Sequence, residues 1–155
     1  MEAKRTDKLF MSEALKEARK AKKRGEVPVG AVVVHEGEVI ARGYNRKESA
    51  SDPTAHAEVV AITRAAKKLK RWRLAGTTLY VTLEPCLMCM GAIVQARIPR
   101  LVFASLDPKA GACGSLYDIS NDRRLNHRVH VTRGVAEEES REILKEFFLK
   151  LRKKT

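Results

Sequence analysis

No stretch of this 155-residue chain approaches the roughly 18 consecutive apolar residues that a membrane-spanning helix needs. The opening stretch MEAKRTDKLFMSEALKEARK lacks the apolar core and small-residue cleavage site of a secretory signal. A cytoplasmic protein with no membrane partner is therefore expected. Glycine (9 residues) and proline (5 residues) are sparse, and there is no internal repeat, linker or low-complexity segment, which excludes collagen-like and disordered classes. Cysteine is scarce too. Three residues, an odd number with two of them spaced as Cys86-x-x-Cys89, point to metal or redox chemistry rather than to a disulfide framework. Acidic residues are short relative to basic ones, 19 against 31, for a net charge of +12. Such an excess draws a small protein to polyanions, because Lys and Arg release counterions from phosphates, so nucleic acid leads the candidate partners. A charged surface serving only solubility or heat resistance is the alternative, although ion-pair networks tend to balance the signs.

The length suits one domain, expected over residues 1–155. Met11, Ala14, Leu15, Ala18 and Ala21 recur at helical spacing between Asp7 and Arg24, with Gly25 as a stop signal. PVGAVVV and EVIARGY flank Glu36-Gly37, which predicts an antiparallel hairpin with a two-residue turn. From Thr54 to Leu69 a stripe of Val59, Ile62, Ala66 and Leu69 predicts a second helix lying on a sheet. TTLYVTL reads as a strand, Pro85 to Ala96 as a third helix with proline at its first position, RLVFAS as another strand and HRVHVT as a short one. This alternation argues for parallel strands with helical crossovers. Between Leu106 and Asn126 no period is sustained, and a loop that long in a compact domain is functional or disordered. Ile143, Leu144, Phe147, Phe148 and Leu151 predict a C-terminal helix, about 137–152, docked on the body.

His56, Cys86 and Cys89 are the types that bind zinc, and both cysteines fall near the first turn of the third helix, where the positive end of the helix dipole favours thiolates. Three ligands leave a position for water, as in catalytic zinc sites; a fourth from Cys113, His35, His127 or His130 would make the site structural. Glu58 stands two residues from His56 and does not share its helical stripe unless His56 sits at the very start of the helix. There, a carboxylate beside an activated water can shuttle protons. Taken alone, Glu58 would more simply complement the helix dipole.

His-Ala-Glu followed by Pro-Cys-x-x-Cys is the known signature of zinc-dependent deaminases. RGEVPVGAVVV, GYNR, DPTAHAE, YVTLEPCLMCMGAI, DPKAGACGSLYD and LNHRV run in order along nearly the whole chain. In these blocks it resembles the bacterial tRNA-specific adenosine deaminases of the cytidine/deoxycytidylate deaminase superfamily. The resemblance implies a three-layer α/β/α fold with a central mixed five-stranded sheet. It also implies one zinc ion per subunit on His56, Cys86 and Cys89, with Glu58 as general acid and base for attack of zinc-bound hydroxide on C6. The implied reaction converts the wobble adenosine of an arginine tRNA anticodon to inosine.

By the same resemblance Asn45 bonds the target nucleotide, Val29 and Leu83 line the base pocket, and Asp107 contacts a ribose 2′-hydroxyl. Phe148, with Phe147, supplies a ring to a flanking base, the partner is the anticodon stem-loop, and the protein is a homodimer with CMGAIVQARI a candidate interface. Each of these positions has a plainer alternative: turn residues for Asn45 and Asp107, core for Val29, Leu83 and the aromatic pair. Arg123, Arg124, Arg128 and the tail KLRKK are further candidates for phosphate contact, with solvated charge as the alternative. The rival functions are deamination of a free base or nucleoside, and a non-catalytic zinc-stapled nucleic-acid-binding module.

Overall fold

The computed structural model describes residues 2–153. In chain order the elements are α1 (Glu2–Lys23), β1 (Gly30–His35), β2 (Glu38–Tyr44), the short α2 (Lys47–Ala50), α3 (Ala57–Leu69), β3 (Thr77–Leu83), α4 (Leu87–Gln95), β4 (Arg100–Ser105), β5 (His130–Arg133) and α5 (Glu137–Lys153). The five strands form one sheet in the order β2-β1-β3-β4-β5. Strand β1 runs antiparallel to both β2 and β3, whereas β3, β4 and β5 are parallel. The sheet is therefore mixed: the expected parallel crossovers account for one half and the hairpin for the other. Glu36 (φ 51°) and Gly37 (φ 77°) both take positive φ, the type I′ geometry whose twist matches that of the paired strands.

Alternation along the strands divides the core into two layers. Ala31, Val33, Leu79, Val81 and Phe103 meet α3 and α4 on one face. On the other, Val32, Val34, Tyr80, Val102 and Ala104 meet Met11, Ala14, Leu15 and Ile143 from α1 and α5. The result is a three-layer α/β/α arrangement. Asp7 on α1 fastens the second layer: it accepts a hydrogen bond from the Tyr80 hydroxyl at 2.7 Å and two from Arg100, at 2.9 and 2.7 Å.

Five expectations need correction. Helix α1 begins at Glu2 rather than Asp7, because the exposed Lys4, Arg5 and Thr6 add a helical turn without adding to the apolar period. Helix α3 begins at Ala57, not Thr54. The Asp52 carboxylate accepts bonds from the Thr54 amide (2.9 Å) and hydroxyl (2.8 Å), a local turn that competes with helix. The fully buried stripe of α3 is Ala57, Ala61 and Ala65, while Val59, Ile62, Ala66 and Leu69 are only half-buried. Small residues are needed there because α3 crosses β2 so closely that a Cβ on Gly43 would lie 2.6 Å from the Ala57 carbonyl oxygen.

Helix α4 starts at Leu87 with Cys86 as its N-cap, so Pro85 precedes the helix rather than opening it. The buried contacts of α5 are concentrated in its first half, while in its second half Glu146 pairs with Lys22 of α1 at 2.5 Å. Ser140 and Ile143 are buried, with the Ser140 hydroxyl 2.9 Å from that of Ser105, whereas Phe148, Leu149 and Leu151 are exposed. Lys154, the last basic residue of the KLRKK tail, lies outside the described residues.

Candidate metal centre and active-site cavity

His56 and Cys86 are the N-cap residues of α3 and α4, both with extended backbone and neither with a side-chain capping bond. Their side chains turn towards each other instead. His56 Nδ1 lies 3.6 Å from Cys86 Sγ and 3.4 Å from Cys89 Sγ. These separations match the edge of roughly 3.5 Å expected for a tetrahedron with zinc–sulfur bonds of about 2.3 Å and a zinc–nitrogen bond of about 2.0 Å. Among the described residues, His56, Cys86 and Cys89 form the group whose ligand atoms all lie within 4.8 Å of one another.

The alternative fourth ligands lie elsewhere. Cys113 is buried in the 106–129 loop, where its backbone pairs with that of Asp118 and burial pushes its thiol up to about 11. The His127 ring contacts the Ile98 carbonyl. His35 packs beside Gly76, and His130 starts β5.

The donor set suits a thiophilic cation. A hydrogen bond from Cys89, opposed by burial and supported by His56, holds the Cys86 thiol down at about 3. The same bond and burial push the Cys89 thiol up. The bond to Cys86 also raises the His56 imidazole. A divalent ion would displace the protons of both residues.

Because the N-cap is extended, His56 departs from the helical phase, and Glu58, second in the helix, reaches the same cavity. Glu58 is 4% exposed. Burial pushes its carboxyl up to about 7, against the opposing pull of its backbone bond and of the His56 charge. The cavity has a volume of about 200 Å³ and is lined by Val29, Asn45, His56, Glu58, Leu83, Cys86 and Asp107, with Lys47 at its edge. Cys89 is wholly buried behind it. Asn45 donates from Nδ2 to the Val27 carbonyl at 3.4 Å, while its Oδ1 is buried without a protein partner. Asp107 serves as a turn residue, its Oδ1 accepting from the amides of Lys109 and Ala110.

Phe148 does not line this cavity. It lines an adjoining groove of about 710 Å³ between residues 106–110 and α5, with the Phe147 ring edge-on at 5.3 Å. Of the basic candidates, Arg124 is tied to Asp122 at 2.6 Å.

Two buried carboxylates to which the sequence blocks attach no role hold the cavity walls. Glu84, 2% exposed, accepts bonds from the amides of Asp107 (3.0 Å), Cys113 (2.9 Å) and Ser115 (3.0 Å), and from the Ser115 hydroxyl (2.5 Å). It thereby fastens the long loop to the residue that precedes Pro85 and Cys86. The loop passes so close that a Cβ on Gly111 would fall 2.3 Å from the Glu84 carboxyl carbon. Burial alone would raise the Glu84 carboxyl, but the Ser115 hydroxyl and the three amides hold it below the usual range. Glu26, 1% exposed, likewise accepts from the amides of Glu48 and Ser49 in α2. The one sequence signal for Glu84 is a charged residue at the end of an apolar strand, directly before the cysteine motif.

Residues 5–152 match the family model of the MafB19-like deaminases. The tRNA-specific adenosine deaminase of Bacillus subtilis (strain 168) is 51% identical over 148 residues, 96% of this chain and 92% of that protein. A solved structure from work on A-to-I editing by tRNA:A34 deaminases at the wobble position superposes with a TM-score of 0.85 at 50% identity, covering 87% of this chain and 98% of the other. A guanine deaminase from Nitrosomonas europaea superposes with a TM-score of 0.76 at 27% identity, over 90% and 83% of the two chains.

Proposed function

The chain belongs to the tRNA-specific adenosine deaminase family, and from that premise we propose that it hydrolytically deaminates the wobble adenosine, position 34, of an arginine tRNA to inosine. In this reading His56, Cys86 and Cys89 would hold one zinc ion per subunit, which would supply a water acidic enough to attack at neutral pH. The anticodon loop gives up its nucleotide at little cost, since loop bases are already partly unstacked. Val29 and Leu83 flank the base. Asn45 meets its edge: the unpartnered Oδ1 accepts from the amino group, and Nδ2 donates to N7.

Glu58 takes one proton from the water as its oxygen bonds to C6 and delivers it to ring N1, then takes the remaining hydroxyl proton from that oxygen and delivers it to the amino nitrogen. The carbon–nitrogen bond breaks and ammonia leaves, while C6 keeps the oxygen. Burial raises the Glu58 carboxyl above the usual carboxylate range, which favours a group that both takes and gives a proton. Asp107 retains its second oxygen for a ribose 2′-hydroxyl, and Phe148 offers its exposed ring to a flanking base in the adjoining groove.

One observation carries this reading: the three-donor group has no fourth protein donor among the described residues and sits beside a buried carboxyl in a cavity sized for a single base. That combination disfavours a metal serving only as a staple. The likeness to a guanine deaminase keeps free-base deamination as a second reading. The net charge of +12 favours a polyanionic substrate over it. Incubation with an arginine tRNA bearing a wobble adenosine, and separately with free adenine, adenosine, guanine and cytosine, distinguishes the two. Inosine forming only in the tRNA supports the proposal; turnover confined to free bases refutes it.

We place this activity in the cytoplasm, in a single deaminase unit that pairs as a homodimer. Within CMGAIVQARI, residues Cys89, Met90, Ile93, Val94, Ala96 and Ile98 are core. The apolar side chains that α4 leaves for a second copy are Leu87 and Met88, beside Gly91, whose Cα faces open space.

A further inference from the structure

At the far end of the sheet from the cavity, α3 and α4 terminate and the chain passes through KRWRLAG, residues 70–76, into β3. Leu74 fixes this turn by burying its side chain and donating its amide to the Ala96 carbonyl at 2.7 Å. Trp72 is left 59% exposed. Arg73 lies over its ring at 4.9 Å and Arg97 at 6.0 Å. Around it Lys67, Lys68, Lys70 and Arg71 are exposed, and no acidic residue falls between Ala61 and Leu83. Among the described residues none of these cations forms an ion pair.

Cations near helix C-termini are favoured by the helix dipole, which accounts for Lys67, Lys68 and Arg97, whose guanidinium caps the Val94 carbonyl. It does not account for Arg73, which sits in the connecting turn, nor for a large indole held open to solvent. Exposed aromatic rings set among unpaired cations are the composition of surfaces that track a nucleic-acid backbone and stack an unpaired base. A membrane surface would need more apolar neighbours than Trp72 alone. A two-fold contact with a second copy centred here would set the cations against themselves.

We propose that this Trp72-centred surface is a second RNA-contact surface, taking the phosphate backbone and an unpaired base of the tRNA substrate away from the target nucleotide. It rests on the functional reading above, which supplies the RNA. The 13 residues of α3 separate this surface from His56 by about 20 Å, so it touches neither the reacting base nor the metal ligands. It acts on affinity and on substrate size, not on the chemical step.

The test is equilibrium binding of arginine tRNA to the full-length, zinc-loaded protein across a salt series. The proteins are wild type, Trp72→Ala, the triple variant Lys67→Gln/Lys70→Gln/Arg73→Gln, and a charge-matched control, Lys4→Gln/Lys8→Gln/Arg19→Gln, on the exposed side of α1. Trp72→Ala is expected to weaken binding about tenfold. The triple variant should lower the slope of log K against log salt by about 2. The control should change both much less, and kcat at saturating tRNA, zinc content and Tm should be unchanged throughout. Triple and control variants that weaken alike, or Trp72→Ala binding like wild type, overturn the proposal. A shift in sedimentation mass with unchanged RNA affinity assigns the surface to a protein contact and also overturns it. A wild-type protein that leaves tRNA unedited refutes the functional reading instead.

Discussion

Where α3 and α4 begin, the chain gathers the thiols of Cys86 and Cys89, the imidazole of His56 and the carboxyls of Glu58 and Glu84. Where the same helices end, it gathers Lys67, Lys68, Lys70, Arg73 and Arg97 around an exposed indole. The dipoles of the two helices favour this division, but burial makes the ends unequal. At the starts, charges sit out of water, so each interaction is strong and each unpaired group is costly. At the ends, charges are solvated and salt weakens them within about 10 Å. One end suits chemistry on a single base; the other suits loose attraction to a long polyanion.

Substitutions at the two ends should therefore differ in size and in salt response. The largest effect belongs to Glu58→Ala. With Glu58 as the proposed proton carrier, its loss should lower kcat by about 10²–10⁴-fold with zinc content unchanged; elemental analysis alongside single-turnover kinetics checks both. Glu84→Ala should come next. It strands three loop amides, at about 1–3 kcal/mol each where they stay dry. A stability loss of about 3 kcal/mol in urea unfolding, with a raised KM, is expected.

The two carboxyls also titrate in opposite senses. The Glu58 carboxyl ionises near its ordinary value of 4.5 when unfolded but near 7 when folded. The folded metal-free protein thus holds a proton that the unfolded chain releases, and stability falls as pH rises from about 4.5 through 7. Glu58→Gln should remove that loss, making the metal-free protein about 3 kcal/mol more stable than wild type at pH 8 and no more stable at pH 4. Glu84 is held low, so its contribution is complete above the unfolded value and disappears as pH falls through the folded one. Glu84→Gln should flatten the acid limb of the stability curve. Urea midpoints across pH resolve the two signs. Smallest of all, Lys68→Gln at the helix ends should change stability by less than about 0.5 kcal/mol, and a larger loss at low salt would show that the far end is not merely solvated.

Periodicity and turn chemistry carried much of this architecture. TTLYVTL and RLVFAS are β3 and β4 to the residue, and Glu36-Gly37 forms the hairpin turn. The alanine face of α3 carries little sequence signal because large apolar residues dominate a helical stripe, whereas the closeness of β2 at Gly43 favours small ones. The exposed part of α5 is illegible for the reverse reason: Phe148 and Leu151 stand at the helical spacing of core residues, yet both are exposed. Glu84 and Glu26 were missed because their partners are backbone amides about 20–30 residues away, which no side-chain pattern records. The ligand spacing at His56, Cys86 and Cys89 is plain in the chain. That His56 and Glu58 face one cavity depends on an extended N-cap, a property of backbone rather than of composition.

In the proposed centre the helix starts bind a metal through three side chains and leave room beside Glu58 for the reacting water. X-ray absorption at the zinc edge of the purified protein tests this most directly. Two sulfur neighbours at about 2.3 Å, one imidazole nitrogen at about 2.0 Å and one oxygen from solvent are predicted. Three sulfurs, or two imidazole nitrogens with no solvent oxygen, would contradict it.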